Sequence, residues 1–261
     1  MGEKKLQIFM KRILVRFSLF ILLISLFVSG NCSPLYYLLF QTTTSKKDSG
    51  GSIQSTLTLL ALVQLNQSVR YPWGTFTDNR DGTVLFIGNA GTFGGQVYTE
   101  TTLTYAKCSS GQTWLQESNS CSPDVPNQVF YCPTNDNSCN DIGTFLLNNS
   151  TSAAYTYCDT LELGGRSNWR VATKNELKLT VACSENPTDI PVDDDLVGCG
   201  SVKRYFLNTT IFPLAGAGAI GPYWTANAQT SGVAWYIDYM RGYTTGSGKA
   251  FARSVRCVSE P

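Results

Sequence analysis

The clearest periodicity lies in the second half of the chain. Ala154, Cys158 and Leu161 recur at i, i+4 and i+7, which places them on one face of a helix over roughly Ser152–Leu163. Gly164-Gly165 then stop it. A second helix starts at Thr173, where Thr173 and Glu176 form a T-x-x-E capping box and Leu177 and Val181 face inward. Toward the C-terminus the period changes to two. Trp235, Ile237 and Tyr239 share one face of a strand, and Ala234, Tyr236, Asp238 and Met240 share the other. Gly242 to Gly248 reads as the connection of a hairpin, with Phe251, Val255 and Cys257 facing inward on the return strand. Arg253 has the same parity, which predicts a bulge or a buried pair there. Earlier in the chain, Asn79 to Gly82 reads as a tight turn between two strands, because Asp-Gly accepts positive φ.

The N-terminal pattern is different. Lys4, Lys5, Lys11, Arg12 and Arg16 precede a largely apolar run from Phe17 to Val28. A bilayer-spanning helix needs about 20 apolar residues, so this shorter run reads as the core of an export signal over residues 1–31. Cys32 follows Ser29-Gly30-Asn31 in the manner of a permissive lipobox and is expected to be lipidated. Residues 32–70 then read as a lipid-anchored tether: a Thr-, Ser-, Lys- and Gly-rich stretch from Gln41 to Thr56 lies between two short apolar runs. The folded domain is expected over 71–261.

Composition sharpens this reading. Charged residues make up only 15% of the chain, below the roughly 25% of typical globular proteins. With 43% hydrophobic residues a sizeable core can form. Removal of residues 1–31 leaves 15 basic against 18 acidic residues, which argues against nucleic acid as a partner. Of the nine cysteines, eight remain once Cys32 is set aside, an even number suited to an oxidising compartment. Spacing alone does not fix their connectivity.

Catalytic signals are scarce. The chain has no histidine, so Ser-His-Asp and Cys-His arrangements cannot be built, and histidine metal sites are excluded. Gly246-Ser247-Gly248-Lys249 lacks the spacing and the Ser or Thr of a phosphate loop and reads as a hairpin turn. No metal or other cofactor is expected, except that the Asp193-Asp194-Asp195 cluster could hold calcium.

One ordered run of landmarks points to a family. Gly164-Gly165-Arg166-Ser167-Asn168-Trp169-Arg170-Val171-Ala172-Thr173-Lys174-Asn175-Glu176-Leu177 is followed by Phe212-Pro213, Tyr223-Trp224-Thr225, Ala234-Trp235-Tyr236 and Ser254-Val255-Arg256-Cys257-Val258. This order resembles the Lcl C-terminal domain family, whose usual form is GG-x-x-[DN]-W-R-[LV]-P-[TN]-x-x-E-L, then YW[ST], AW-x-V and VRCV. Ala172 stands where the family usually has Pro. Thr75 to Val84 is similar to a second landmark, F-x-D-N-x-D-G-T-V, and Lys107-Cys108-Ser109-Ser110-Gly111-Gln112 resembles a KCS-x-G-Q run.

The resemblance implies an α+β, C-type-lectin-like fold with two helices, antiparallel strands and long disulfide-stapled loops. Cys108–Cys121, Cys132–Cys139 and Cys183–Cys199 would close local loops, and the resemblance implies Cys158–Cys257 between the first helix and the last strand. It also implies a surface adhesin: a lipoprotein of the outer membrane or cell surface that binds a glycan, glycosaminoglycan or matrix protein without catalysis. From residue 151 onward, ten basic and ten acidic residues give no evident basic groove. The expected ligand residues are Tyr223, Tyr236, Tyr239, Arg241 and Tyr243, at hairpin and loop edges. Trp169 is expected in the core, with Arg170 paired to Glu176. The rival readings are a structural envelope lipoprotein and a sulfatase-activator-like enzyme. Oligomeric state is left open.

Overall fold

In the computed structural model, the described residues are 67–181, 190, 211–212 and 221–261. All fall within the unit Ala61–Pro261. Cys32, the export signal, most of the tether, Cys183, Cys199 and Asp193–Asp195 lie outside them. No helix among the described residues is long and apolar enough to cross a membrane.

The chain first builds a sheet. Strand β1 (Ser68–Tyr71) pairs with β2 (Gly74–Asp78), and β2 pairs with β3 (Thr83–Gly88), all antiparallel. The β2–β3 turn is the one predicted at Asn79–Gly82. Asp78 and Asp81 accept backbone hydrogen bonds from Arg80 and Thr83 there, and Gly82 has φ +87°. A small ribbon follows, β4 (Gly91–Phe93) with β5 (Gln96–Tyr98). Then β6 (Thr101–Ala106) returns to β3, and β7 (Thr113–Leu115) and β8 (Ser120–Ser122) form a second ribbon. Short strands β9 (Val129–Phe130) and β10 (Arg170–Val171) flank helix α1 (Ala153–Asp159), and helix α2 (Lys174–Lys178) comes after β10. The remaining strands are β11 (Pro222–Ala228), β12 (Val233–Asp238), β13 (Tyr243–Gly248), β14 (Ala252–Val255) and β15 (Cys257–Ser259).

These strands make two principal sheets. The first has the order β1-β2-β3-β6-β15-β10 and the second β13-β12-β11-β14-β9. Every pairing is antiparallel except β11–β14, where Tyr223 lies beside Ser254 and Trp224 beside Val255.

This architecture corrects the expected α+β, C-type-lectin-like class: the described residues are mostly β-sheet and show no C-type-lectin fold. The reason is local. Helices α1 and α2 have seven and five residues, about 10 Å and 8 Å of rise, too little to cover a sheet face. The period at Ala154, Cys158 and Leu161 promised a longer helix, but α1 ends at Asp159. Thr160 follows, its hydroxyl donating back to the Thr156 carbonyl, before Gly164 and Gly165 are reached.

A second correction concerns the C-terminal hairpin. Gly242 to Gly248 is not a loop. Residues 243–248 pair one for one with β12, from Asp238–Tyr243 to Val233–Gly248, so β13 is the return strand. The segment expected to return, containing Arg253 and Val255, leaves the hairpin and lies parallel to β11 as β14. Phe251, expected inside, is 63% exposed.

Two cores result. In the first, Phe76, Phe86 and Leu103 stand in register across β2, β3 and β6 and meet Phe212, Leu177, Tyr223 and Ile237. Phe76 and Phe86 have ring centroids 4.5 Å apart, and Trp73 donates to the Leu179 carbonyl at 3.0 Å. In the second, Trp169 and Trp224 pack with Ala154, Tyr131 and Val255 around two disulfides. The structure forms Cys108–Cys121, Cys132–Cys139 and Cys158–Cys257. The last joins α1 to β15 across 99 residues, a closure worth about 4–5 kcal/mol in the chain-entropy account.

Candidate functional site

The second sheet carries a row of cations and aromatic rings in contact. Its foundation is strand parity. Ala234, Tyr236 and Asp238 share one face of β12, and the register places Thr245 opposite Tyr236 and Tyr243 opposite Asp238. On the other side of β12, Trp224 lies opposite Tyr236. Arg253 and Val255 of β14 share that face, because Val255 lies beside Trp224.

The turn after β12 is built by Asp238. Its carboxylate accepts from the Met240 amide at 2.8 Å, and its carbonyl accepts from the amides of Arg241 and Gly242 at 3.2 and 2.7 Å. Gly242, at φ +65°, supplies the left-handed residue that turns the chain into β13. The turn throws Arg241 outward, with a side chain 70% exposed. Its guanidinium donates to the Tyr243 hydroxyl at 3.0 Å and lies 3.8 Å from the Asp238 carboxylate.

Arg253 joins two rings of the row. Its guanidinium carbon stands 3.8 Å from the Tyr236 ring centroid and 5.0 Å from that of Trp224. Nη2 donates to the Ser247 hydroxyl at 2.8 Å, while Nε is buried without a hydrogen-bond partner. Burial makes the Arg253 cation easier to lose than usual, against the opposing pull of Tyr236, Asp238 and Tyr243. Burial also pushes the Tyr236 hydroxyl up to about 12, helped by its contact with Tyr243 and resisted by Arg253. Trp224 is fixed behind the stack by its indole N–H, which donates to the Val129 carbonyl at 3.1 Å. The contacts therefore run from Trp224 through Arg253, Tyr236 and Tyr243 to Arg241, which is the exposed end.

The five residues expected to meet a ligand divide between the two faces. Tyr236, Tyr243 and Arg241 belong to this row, though Tyr243 is only 6% exposed and contributes through its hydroxyl, which accepts from the exposed Arg241. Tyr223 and Tyr239 do not reach the surface, since both are buried at 1% and 0% exposure in the first core. Tyr223 shares a hydrogen bond with Ser109 at 2.8 Å, Tyr239 with Thr180 at 2.5 Å, and their rings meet edge to face at 5.0 Å. The residue missed is Arg253. Its only signal in the sequence was its parity with Val255, which predicted a bulge or a buried pair without naming a partner.

The sequence profile described as the Lcl C-terminal domain matches residues 99–259. The chain belongs to this family. Membership points to a surface-associated protein. No curated protein and no solved structure matches the chain. The matched region of the Lcl C-terminal domain begins just before β6, yet β2 and β3 extend the same sheet upstream of it.

Most landmarks of the domain hold the fold. Trp169 is 3% exposed, and its N–H donates to the Arg166 carbonyl. Arg170 clamps Glu176 through two bonds, Nη1–Oε2 at 2.8 Å and Nη2–Oε1 at 2.6 Å, and also reaches Glu260 at 2.7 Å. Glu176 accepts from the Thr173 amide at 2.7 Å, and Thr173 Oγ1 accepts from the Glu176 amide at 3.3 Å, completing the capping box. Arg256 is 2% exposed and donates to the carbonyls of Ala106 and Lys107 at 2.9 and 2.6 Å, bolting β6 to the last strands. Lys249, last residue of the phosphate-loop-like run, is buried. It donates to Asn140 Oδ1 at 2.5 Å and the Asp136 carbonyl at 2.8 Å, so it holds the Cys132–Cys139 loop instead of facing a ligand. Among the described residues no cluster of carboxylates and cysteines could hold a metal ion.

Proposed function

We propose that the Lcl C-terminal domain of this chain is a non-catalytic binding module, and that its ligand meets the Arg241–Tyr243–Tyr236–Arg253 row. The observation that carries this reading is the stacked Arg253. A guanidinium seated over the Tyr236 ring and beside that of Trp224, with a second guanidinium exposed at the neighbouring turn, offers placed faces and donors without further ordering cost. Such a surface suits a carboxylated or sulfated glycan, or an acidic segment of a matrix protein, because Arg presents planar forks to those groups. Overall charge is near balance, so the attraction is local to the row rather than spread over a basic groove.

The exported half of the proposal rests on the sequence: the basic and apolar N-terminus and Cys32 fit a lipid-anchored protein of the outer membrane or cell surface. In that setting the domain acts as an adhesin.

An array of glycans and matrix proteins, read at low and high salt, tests this. Binding to acidic members that weakens at high salt is expected. Absence of binding across the array would leave the domain with a structural role in the envelope.

A further inference from the structure

The loop at the end of β6 brings three side chains together that the proposed binding function does not use. Lys107 Nζ lies 2.6 Å from Asp78 Oδ2 and 2.5 Å from Asn119 Oδ1. Asn119 Nδ2 is 3.3 Å from the same Asp78 oxygen, closing a triangle. The side chains of Lys107 and Asp78 are both 0% exposed, and the Trp114 ring covers the amine with its centroid 4.3 Å away. The carboxamide can take only this orientation, because an ammonium only donates and a carboxylate only accepts.

We propose that Lys107 and Asn119 become joined by an isopeptide bond between Nζ and Cγ, formed by the folded domain itself with Asp78 as the proton carrier. The distances place the reactants. Cγ is bonded to Oδ1 at about 1.2 Å, so it stands no more than about 3.7 Å from the amine, close to the range of a near-attack arrangement. Water is excluded from the amine and the carboxylate. Burial lowers the proton affinity of Lys107, against the opposing hydrogen bond that it donates to Asp78, and so raises the share of neutral amine.

The chemistry balances without a co-reactant. Lys107 passes a proton to Asp78, and the freed lone pair attacks Cγ of Asn119. The carbonyl π electrons move to Oδ1, which takes up the proton that Asp78 carries. A second proton leaves Nζ and reaches Nδ2 through Asp78. The carbonyl then re-forms as its proton passes back to Asp78, the Cγ–Nδ2 bond breaks, and ammonia departs, carrying that proton away as ammonium. The product is a secondary amide, and no atom is oxidised or reduced.

The fold supplies the geometry. Asp78 ends β2 and Lys107 follows β6, with the Lys107 amide donating to the Gly82 carbonyl at 2.9 Å. Asn119 occupies the turn of the β7–β8 ribbon at φ 50°, a left-handed conformation that Asn tolerates. The new bond would stand beside Cys108–Cys121 and hold the same ribbon through a link that reductants cannot open.

Peptide mapping of the full chain, exported and then purified, tests this after reduction and denaturation. The expected result is one branched peptide containing Lys107 and Asn119, lighter than its two parts by about 17 Da, the mass of ammonia. Asp78→Asn should abolish the branch, and Asn119→Ala should restore a Lys107 amine that reacts with acylating reagents after denaturation. A wild-type map with Lys107 unbranched and reactive would overturn the proposal, as would ammonia loss confined to Asn119 as a succinimide. A loss of about 18 Da joining Lys107 to Asp78 would overturn it equally. An intact branch in Asp78→Asn would remove Asp78 from its assigned role. The wild-type map decides the bond even where a variant does not fold.

Discussion

The guanidinium of Arg253 stands over the ring of Tyr236, 3.8 Å from carbon to centroid, although the two residues belong to strands that do not pair with each other. Strand β11 stands between them and contributes Trp224 to the same stack. A partly desolvated cation–aromatic contact is worth about 1–2 kcal/mol. Arg253→Met keeps much of the side-chain length and removes the charge, so it should lower unfolding stability by about that amount and shift the fluorescence of Trp224. Denaturant unfolding with a fluorescence readout checks both. Unchanged stability together with an unchanged spectrum would mean that the stack contributes nothing to the sheet.

Glu176 ties α2 to its own cap and to Arg170. Burial alone would raise its pKa, but the Arg170 clamp and the Thr173 donors outweigh it and hold the carboxyl below the usual range. A depressed folded pKa means that this contribution is complete above the unfolded value of about 4.3 and is lost as pH falls through the folded pKa. Glu176→Gln should therefore cost about 1–2 kcal/mol at neutral pH and remove part of the acid sensitivity below about pH 4. Chemical unfolding across an acid pH series, wild type against variant, measures this, and parallel pH curves would refute the assignment.

The disulfides should differ in weight. Loss of Cys158–Cys257 releases a long loop and should cost about 4–5 kcal/mol, whereas loss of Cys132–Cys139 releases a short one and should cost about 2 kcal/mol. Paired Cys→Ser variants, compared by thermal unfolding, test the ranking. The reverse order would show that packing around the short loop, not loop closure, sets its value.

Alkaline pH should unfold the domain through its tyrosines. Burial raises Tyr105, Tyr131 and Tyr239, and raises Tyr236 to about 12. A phenol whose folded pKa is raised contributes stability below the unfolded value of about 10 that is lost as pH rises through the folded pKa. An absorbance titration should show these rings ionising late and together with loss of structure. Independent ionisation near pH 10 in a still-folded domain would contradict the burial assigned to them.

Local features were legible in the sequence. The Thr173–Glu176 cap and the Arg170–Glu176 pair lie within seven residues, so spacing and residue type specify them almost alone. The Asn79–Gly82 turn is similar, set by Asp and Gly over four positions. What was not legible is non-local. No spacing rule says that β14 leaves its hairpin to lie parallel to β11, and that single placement decides what Arg253 touches. Tyr223 and Tyr243 look alike in sequence, both beside turns. Strand parity sends Tyr223 into the first core and leaves Tyr243 with its hydroxyl against Arg241. Gly246 and Gly248 have low strand propensity, and pairing with β12 overrides it.

The most direct test of the binding proposal compares the two faces of β12. Arg241 is exposed on the face of the row, and Lys174 stacks on Trp235 on the opposite face at 4.4 Å. Affinity for the strongest acidic ligand of the array should be measured for wild type, Arg241→Ala and Lys174→Ala. The account predicts a roughly tenfold or greater loss for Arg241→Ala, equivalent to about 1.4 kcal/mol, and wild-type affinity for Lys174→Ala. Equal losses in both variants, or wild-type affinity in both, would contradict it.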